Sequence, residues 1–280
     1  MKIIDSQIHC FYPNTPERPW PDGAKSPHGP QFTIEQAREL MDANGVQGAI
    51  LVPPSWTGWD NQYSLDAAAF EPDRFGVMGR FDIEAPDARD ALRRYRDTPG
   101  MLGLRVFIMG QPLGKLVDDP DYMWFWQIAE ETRLPIMAHI PGAIEKFAPV
   151  LEACPELRLI VDHAGRHPRG PKDDAAWEDA DRLYDLARFR NVAVKVSSLP
   201  SFTTDSYPFK QLHPHIRRIY DTFGPQRMLW GSDATRLDST YEQNIRLFTE
   251  ALDFLSEEDR EWIMWRAAAT CCDWEAIKAA

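Results

Sequence analysis

The sequence predicts an α/β protein of the (β/α)8 (TIM) barrel class. It reads as a single domain over residues 1–280, with long βα loops over a working mouth. Three observations predict this. Short apolar runs rich in β-branched residues alternate eight times with amphipathic helical stretches, which implies parallel strands and right-handed crossovers. Eight such repeats favour closure, which removes the sheet edges. The first run leads into a polar DSQIH segment, where a doubly wound open sheet usually has a glycine-rich turn.

The first strand is expected over 3–10. Strand alternation puts Asp5, Gln7 and His9 on one face. The Pro/Gly-rich stretch 13–30 then reads as a stiff loop carrying Trp20 and His28, since proline restricts the chain. A helix over 34–44 leads to a strand over 47–52. The loop after it carries Trp56, Trp59 and Tyr63. A helix over 61–70 precedes a strand over 75–81 that ends near Arg80, and a helix follows over 85–95. The fourth strand, 102–108, carries Arg105. The next helix, 122–132, is unusually aromatic and is expected to pack its rings into the core. The fifth strand, 135–140, ends with His139 and is followed by a helix over 144–154. The sixth, 157–163, ends with Asp162 and His163. A Pro/Gly-rich loop over 166–174 and a helix over 174–187 come next. The seventh, 192–198, carries Lys195 and Ser197. Its loop holds Phe202, Tyr207 and Phe209 before a helix over 211–223. The eighth, 228–233, ends with Asp233, and helices over 240–254 and 257–266 close the pattern.

Polar residues inside a barrel are costly unless the mouth is a working site. One histidine at a strand end is ordinary structure, but several converging strand ends are not. Imidazole and carboxylate together can hold a divalent metal such as zinc, which makes hydroxide available near neutral pH. Without metal, the same groups can act as general base and acid toward water. Asp233 is the best candidate to take the proton of an attacking water, and His163 to polarise a carbonyl or meet an oxyanion. Arg80 and Arg105 can bind a substrate carboxylate in bidentate fashion or, alternatively, form salt bridges inside the barrel. Trp20, His28, Trp56 and Tyr207 rim the expected mouth. Aromatic rings there suit a flat or cyclic small molecule, although packing onto the barrel rim explains each ring singly.

The chain is 44% hydrophobic and 26% charged, with a formal net charge of −12. That charge repels nucleic-acid phosphates and anionic lipid, so neither partner is expected. A local arginine cluster can still reverse the field within one cleft. Cys10, Cys154, Cys271 and Cys272 lack CxxC spacing and read as reduced thiols. There is no signal-peptide pattern and no apolar run long enough to span a bilayer, so a cytoplasmic protein is expected, alone or as a homo-oligomer.

The run of DSQIH, MAH, VDHAG and WGSD motifs resembles the amidohydrolase 2 branch of the amidohydrolase superfamily, over almost the full chain. The resemblance implies metal-dependent hydrolases, decarboxylases or lactonases, some of the lactonases working without metal. By position, Gln7 and His9 fall on the family's HxH pair, His139 on a fifth-strand metal ligand and His163 on a histidine that contacts substrate or water. Asp233 falls on an aspartate serving as ligand, base or both, and Arg105 on an arginine that lactonase-like members use for substrate anions. The departure is Gln7, whose amide is a weaker zinc ligand than imidazole. His9, His139 and Asp233 remain as a three-ligand set, or else the site is metal-independent. Three functions are expected to compete. They are hydrolysis of a cyclic, carboxylated ester, metal-dependent non-oxidative decarboxylation of an aromatic or enoic acid, and non-catalytic binding of a small molecule.

Overall fold

The computed structural model describes residues 1–109 and 112–279. Eight parallel strands, β1 (Ile4–Ile8), β2 (Gly48–Leu51), β3 (Phe75–Gly79), β4 (Met101–Phe107), β5 (Ile136–His139), β6 (Leu159–Val161), β7 (Val192–Ser197) and β8 (Met228–Gly231), neighbour one another in chain order. Around them lie α1 (Ile34–Ala43), α2 (Gln62–Phe70), α3 (Ala88–Arg93), α4 (Lys115–Asp118), α5 (Met123–Glu131) and α6 (Phe147–Ala153). They continue with α7 (Asp181–Asp185), α8 (His213–Phe223), α9 (Tyr241–Arg246), α10 (Glu257–Glu261), α11 (Ala267–Cys271) and α12 (Glu275–Ala279). The expected (β/α)8 barrel is the fold. Phe125 and Trp126 on α5 are fully buried, as the aromatic run required.

The seam between β1 and β8 is stitched largely by side chains. Asp233 N donates to Gln7 O at 2.9 Å. Ser6 Oγ donates to Trp230 O at 2.6 Å, and Ser232 N to Asp5 Oδ1 at 2.8 Å. A Cβ on Gly231 would lie 2.9 Å from Ser6 Oγ, so this close approach needs a residue without one. The seam also corrects one expectation. Asp5 does not share the face of Gln7 and His9, because the register of β1 shifts between Asp5 and Ile8. Asp5 turns into the wall, where the Tyr241 hydroxyl donates to Oδ2 at 2.9 Å.

Ile4, Ile50, Met78, Met137, Ile160 and Leu229 fill the lower barrel, and Ala267, Ala268, Trp274 and Ile277 pack against them to plug that end. Each such side chain contributes roughly 1.5–3 kcal/mol by leaving water. One residue pair higher, the inward positions change character: Gln7, Arg80, Arg105, His139, Asp162 and Lys195 are all buried.

Candidate active site

β6 and β8 end earlier than the sequence suggests. His163 and Asp233 lie beyond them, each in a left-handed turn with φ of 52° and 56°, and Ser198 after β7 has φ 57°. Left-handed backbone at non-glycine residues costs of order 1–3 kcal/mol and persists where the surroundings enforce it. Three such residues at adjacent strand ends aim a histidine, a serine and an aspartate at one point.

A chain of bonds runs across the barrel. Lys195 Nζ donates to Gln7 Oε1 and lies 3.0 Å from Asp162 Oδ1. Asp162 Oδ2 accepts from Arg105 Nε at 2.9 Å. An ammonium only donates, so the Gln7 oxygen must face Lys195 and its amide nitrogen must face His9 Nε2, 3.1 Å away. His9 Nδ1 in turn donates to Val52 O at 2.7 Å. His9 is therefore the Nδ1–H tautomer, with the Nε2 lone pair turned inward.

Asp233 Oδ2 accepts from Ser198 Oγ at 2.6 Å. Its Oδ1 lies 3.3 Å from that His9 lone pair and has no hydrogen-bond donor among the described residues. His163 Nε2 lies 3.9 Å from Asp233 Oδ2 and is itself unpartnered, while Nδ1 meets Ser197 Oγ at 2.8 Å. The nearby carboxylate favours a proton on Nε2, so Ser197 donates to Nδ1. His139 stacks on Phe107 at 4.9 Å, and neither of its ring nitrogens has a partner among the described residues.

Burial pushes the Asp233 carboxyl up, but His163, His9, Arg236 and the Ser198 hydroxyl outweigh it and hold it at about 2. Burial lowers His9 to about 3 and His163 to about 4, against the pull of Asp233. At neutral pH the centre is thus a carboxylate among neutral imidazoles.

Around it stand cations. Among the described residues Arg105 bonds Asp162 through Nε alone, which leaves its terminal nitrogens for an anion. Arg80 lies 4.9 Å over the Trp59 ring and has NH1 unpartnered. Burial, then the Arg105 charge, lowers it to about 10. Arg236, which sequence reasoning missed, lies 3.9 Å from Asp233 Oδ1 and opens onto a cavity of about 440 Å³ shared with His28 and Arg169. It follows the WGSD motif by three residues, in a loop without periodicity. His28 lies on the same side, and burial followed by the Arg236 charge lowers it to about 4. Trp20 and Trp56 pack at 4.6 Å and seat the first long loop on Phe11. Tyr207 stands apart, edge-on to Phe209 and beneath Arg246.

Among the described residues no three His, Cys, Asp or Glu side chains come together as a metal-holding group. His9 and Asp233 are close enough to be two ligands of one ion, but the Gln7 amide N–H faces the His9 lone pair. As placed, His9, His139 and Asp233 do not fit a divalent ion.

A family profile described as amidohydrolase matches residues 4–270. The chain belongs to the amidohydrolase family. It is 27% identical over 236 residues to an L-fucono-1,5-lactonase of Burkholderia ambifaria, covering 82% of this chain and 79% of that one. It is 25% identical to a 4-sulfomuconolactone hydrolase of Hydrogenophaga intermedia, over 82% and 73% of the two chains. An amidohydrolase from Burkholderia multivorans superposes with a TM-score of 0.79 at 21% identity, covering 98% and 99% of the chains. The same amidohydrolase has been solved with zinc bound, where the TM-score is 0.77 at 22% identity, covering 98% and 99%. A protein described as a probable 2-pyrone-4,6-dicarboxylic acid hydrolase from Acinetobacter baumannii, solved with citric acid bound, has a TM-score of 0.78 at 20% identity over 98% and 100%.

Proposed function

We propose that this amidohydrolase hydrolyses a small lactone that carries an anionic group. The observation that carries the reading is the Asp233 carboxylate, ionised and free at Oδ1, facing cations at the barrel mouth. Both curated relatives described above are named for lactone hydrolysis, which supports the same bond class.

The residues divide the work as follows. Water attacks the lactone carbonyl carbon, and Asp233 Oδ1 takes its proton. His163 Nε2–H donates to the oxyanion that develops. Collapse breaks the ring C–O bond, and Asp233 returns the proton to the leaving oxygen, giving an open hydroxy acid. Arg105 holds the substrate anion while Asp162 fixes the other edge of its guanidinium. Arg80, Trp20, Trp56 and His28 shape the approach, and Gln7 fixes His9 beside the base. The test is a pH-stat assay on a lactone panel that spans L-fucono-1,5-lactone and carboxylated or sulfonated muconolactones. Turnover of the anionic members, lost in Asp233→Asn, supports the reading. Carbon dioxide release without ring opening would replace it with a decarboxylase.

A further inference from the structure

We propose that Lys195 is a positioning residue whose ammonium locks the Gln7 amide onto His9 and so keeps this centre closed to a divalent metal. Lys195 and Asp162 are both fully buried, 3.0 Å apart, and the Gln7 oxygen is the other acceptor of the ammonium. A buried ammonium that loses an acceptor is left with an uncompensated donor, which is costly. Gln7 is therefore not free to turn its oxygen inward as a ligand. Its N–H end is presented to His9 Nε2 instead, and the Val52 carbonyl fixes the other face of that ring.

A metal would need three things that the network withholds. It needs the His9 lone pair clear, a group at position 7 that does not aim an N–H at that lone pair, and no fixed cation behind it to repel a second positive charge. The ammonium supplies positive charge from within the chain, where a metal would supply it from outside. The departure at position 7 and the lysine on β7 are then one device rather than two unrelated residues.

The inference rests on the lactone-hydrolase reading only for its activity arm. Untagged wild type, Lys195→Met and the double variant Gln7→His/Lys195→Met are equilibrated with zinc, desalted and measured for zinc per chain by plasma mass spectrometry. Wild type is expected well below one zinc per chain, Lys195→Met higher, and the folded double variant near one. Near-stoichiometric zinc in wild type overturns the proposal. So does a folded double variant that holds no more zinc than wild type. Because a variant can fail to fold, the wild-type protein is also read by ¹⁵N NMR of its histidines. His9 is expected as the Nδ1–H tautomer, and an Nε2–H signature overturns the proposal. Lactone turnover by wild type is expected to survive chelation, and its loss to a chelator with recovery on zinc also overturns it. Absence of any lactone turnover would count against the proposed function and leave the metal and NMR results to decide this one.

Discussion

Asp233 is held at one oxygen and bare at the other, which is the geometry of a base that must receive a proton without moving. Asp233→Asn keeps an acceptor for Ser198 but removes the base. Lactone kcat/KM is expected to fall by roughly 10²–10⁴-fold, with the thermal midpoint little changed. Near wild-type turnover would remove Asp233 from the chemistry. Arg105 donates to Asp162 through Nε, and its proposed partner is the substrate anion. Arg105→Met is expected to raise KM for anionic lactones and to leave neutral lactones nearly untouched, and equal losses on both would end its anion-binding role. Much of this centre was legible in the sequence. Gln7, His9, Arg105, His139 and Lys195 fall on inward positions that strand alternation identifies. The pairing of Lys195 with Gln7 was not legible, since they are 188 residues apart in the chain. Arg236 was not legible either, because a loop residue has no period to betray it.

At the level of elements, the order of strands and helices was legible and their ends less so, for local reasons: the strand expected over 157–163 spans Leu159–Val161, whereas α1 and α8 lie within two residues of expectation. The expected helix over 174–187 is broken because Arg166 draws the Ala176 carbonyl out at 2.9 Å. The one over 240–254 ends in a wider turn where Arg260 takes the Phe248 and Leu252 carbonyls. Such side-chain captures of backbone oxygen leave no trace in hydrophobic periodicity. The β1–β8 seam depends on the same kind of bond, and it places Asp233 beside Gln7. Tyr241→Phe strips one donor from buried Asp5 and is expected to cost about 1–3 kcal/mol in urea unfolding. An unchanged midpoint would show that Asp5 does not depend on it. Trp20 seats the loop over 13–30 through Trp56 and through its Nε1 bond to Tyr12 O. Trp20→Ala is expected to speed proteolytic nicking within that loop and to raise KM more than it lowers kcat.

For the whole molecule, the buried titratable groups set how stability responds to acid. His9, His139 and His163 are all lowered, chiefly by burial. Between the unfolded value near 6.5 and their folded values, the unfolded chain binds protons that the native chain refuses. Stability is therefore full above about pH 6.5 and is lost as pH falls through that window. His163 alone accounts for roughly 3 kcal/mol. Asp5 acts oppositely: burial raises it to about 6, so the native state gains stability as pH falls from there toward the unfolded value. Asp233, held at about 2, adds a further loss only below the ordinary carboxylate range. His9, His28, His139 and His163, with His167 and His215 lowered in the same direction, outweigh the raised Asp5 and give a net fall in the thermal midpoint between about pH 6.5 and 4.5. Over the same range the net charge of −12 relaxes toward zero near the isoelectric point of about 5.1, which should stabilise the fold. The two effects separate by salt. Surface repulsion is screened at high ionic strength, whereas the buried imidazoles are not. Calorimetry across this pH range in low and high salt should show the midpoint falling in both, and more steeply in high salt. A midpoint that rises on acidification in high salt would mean that Asp5, and not the histidines at the barrel mouth, governs the acid response.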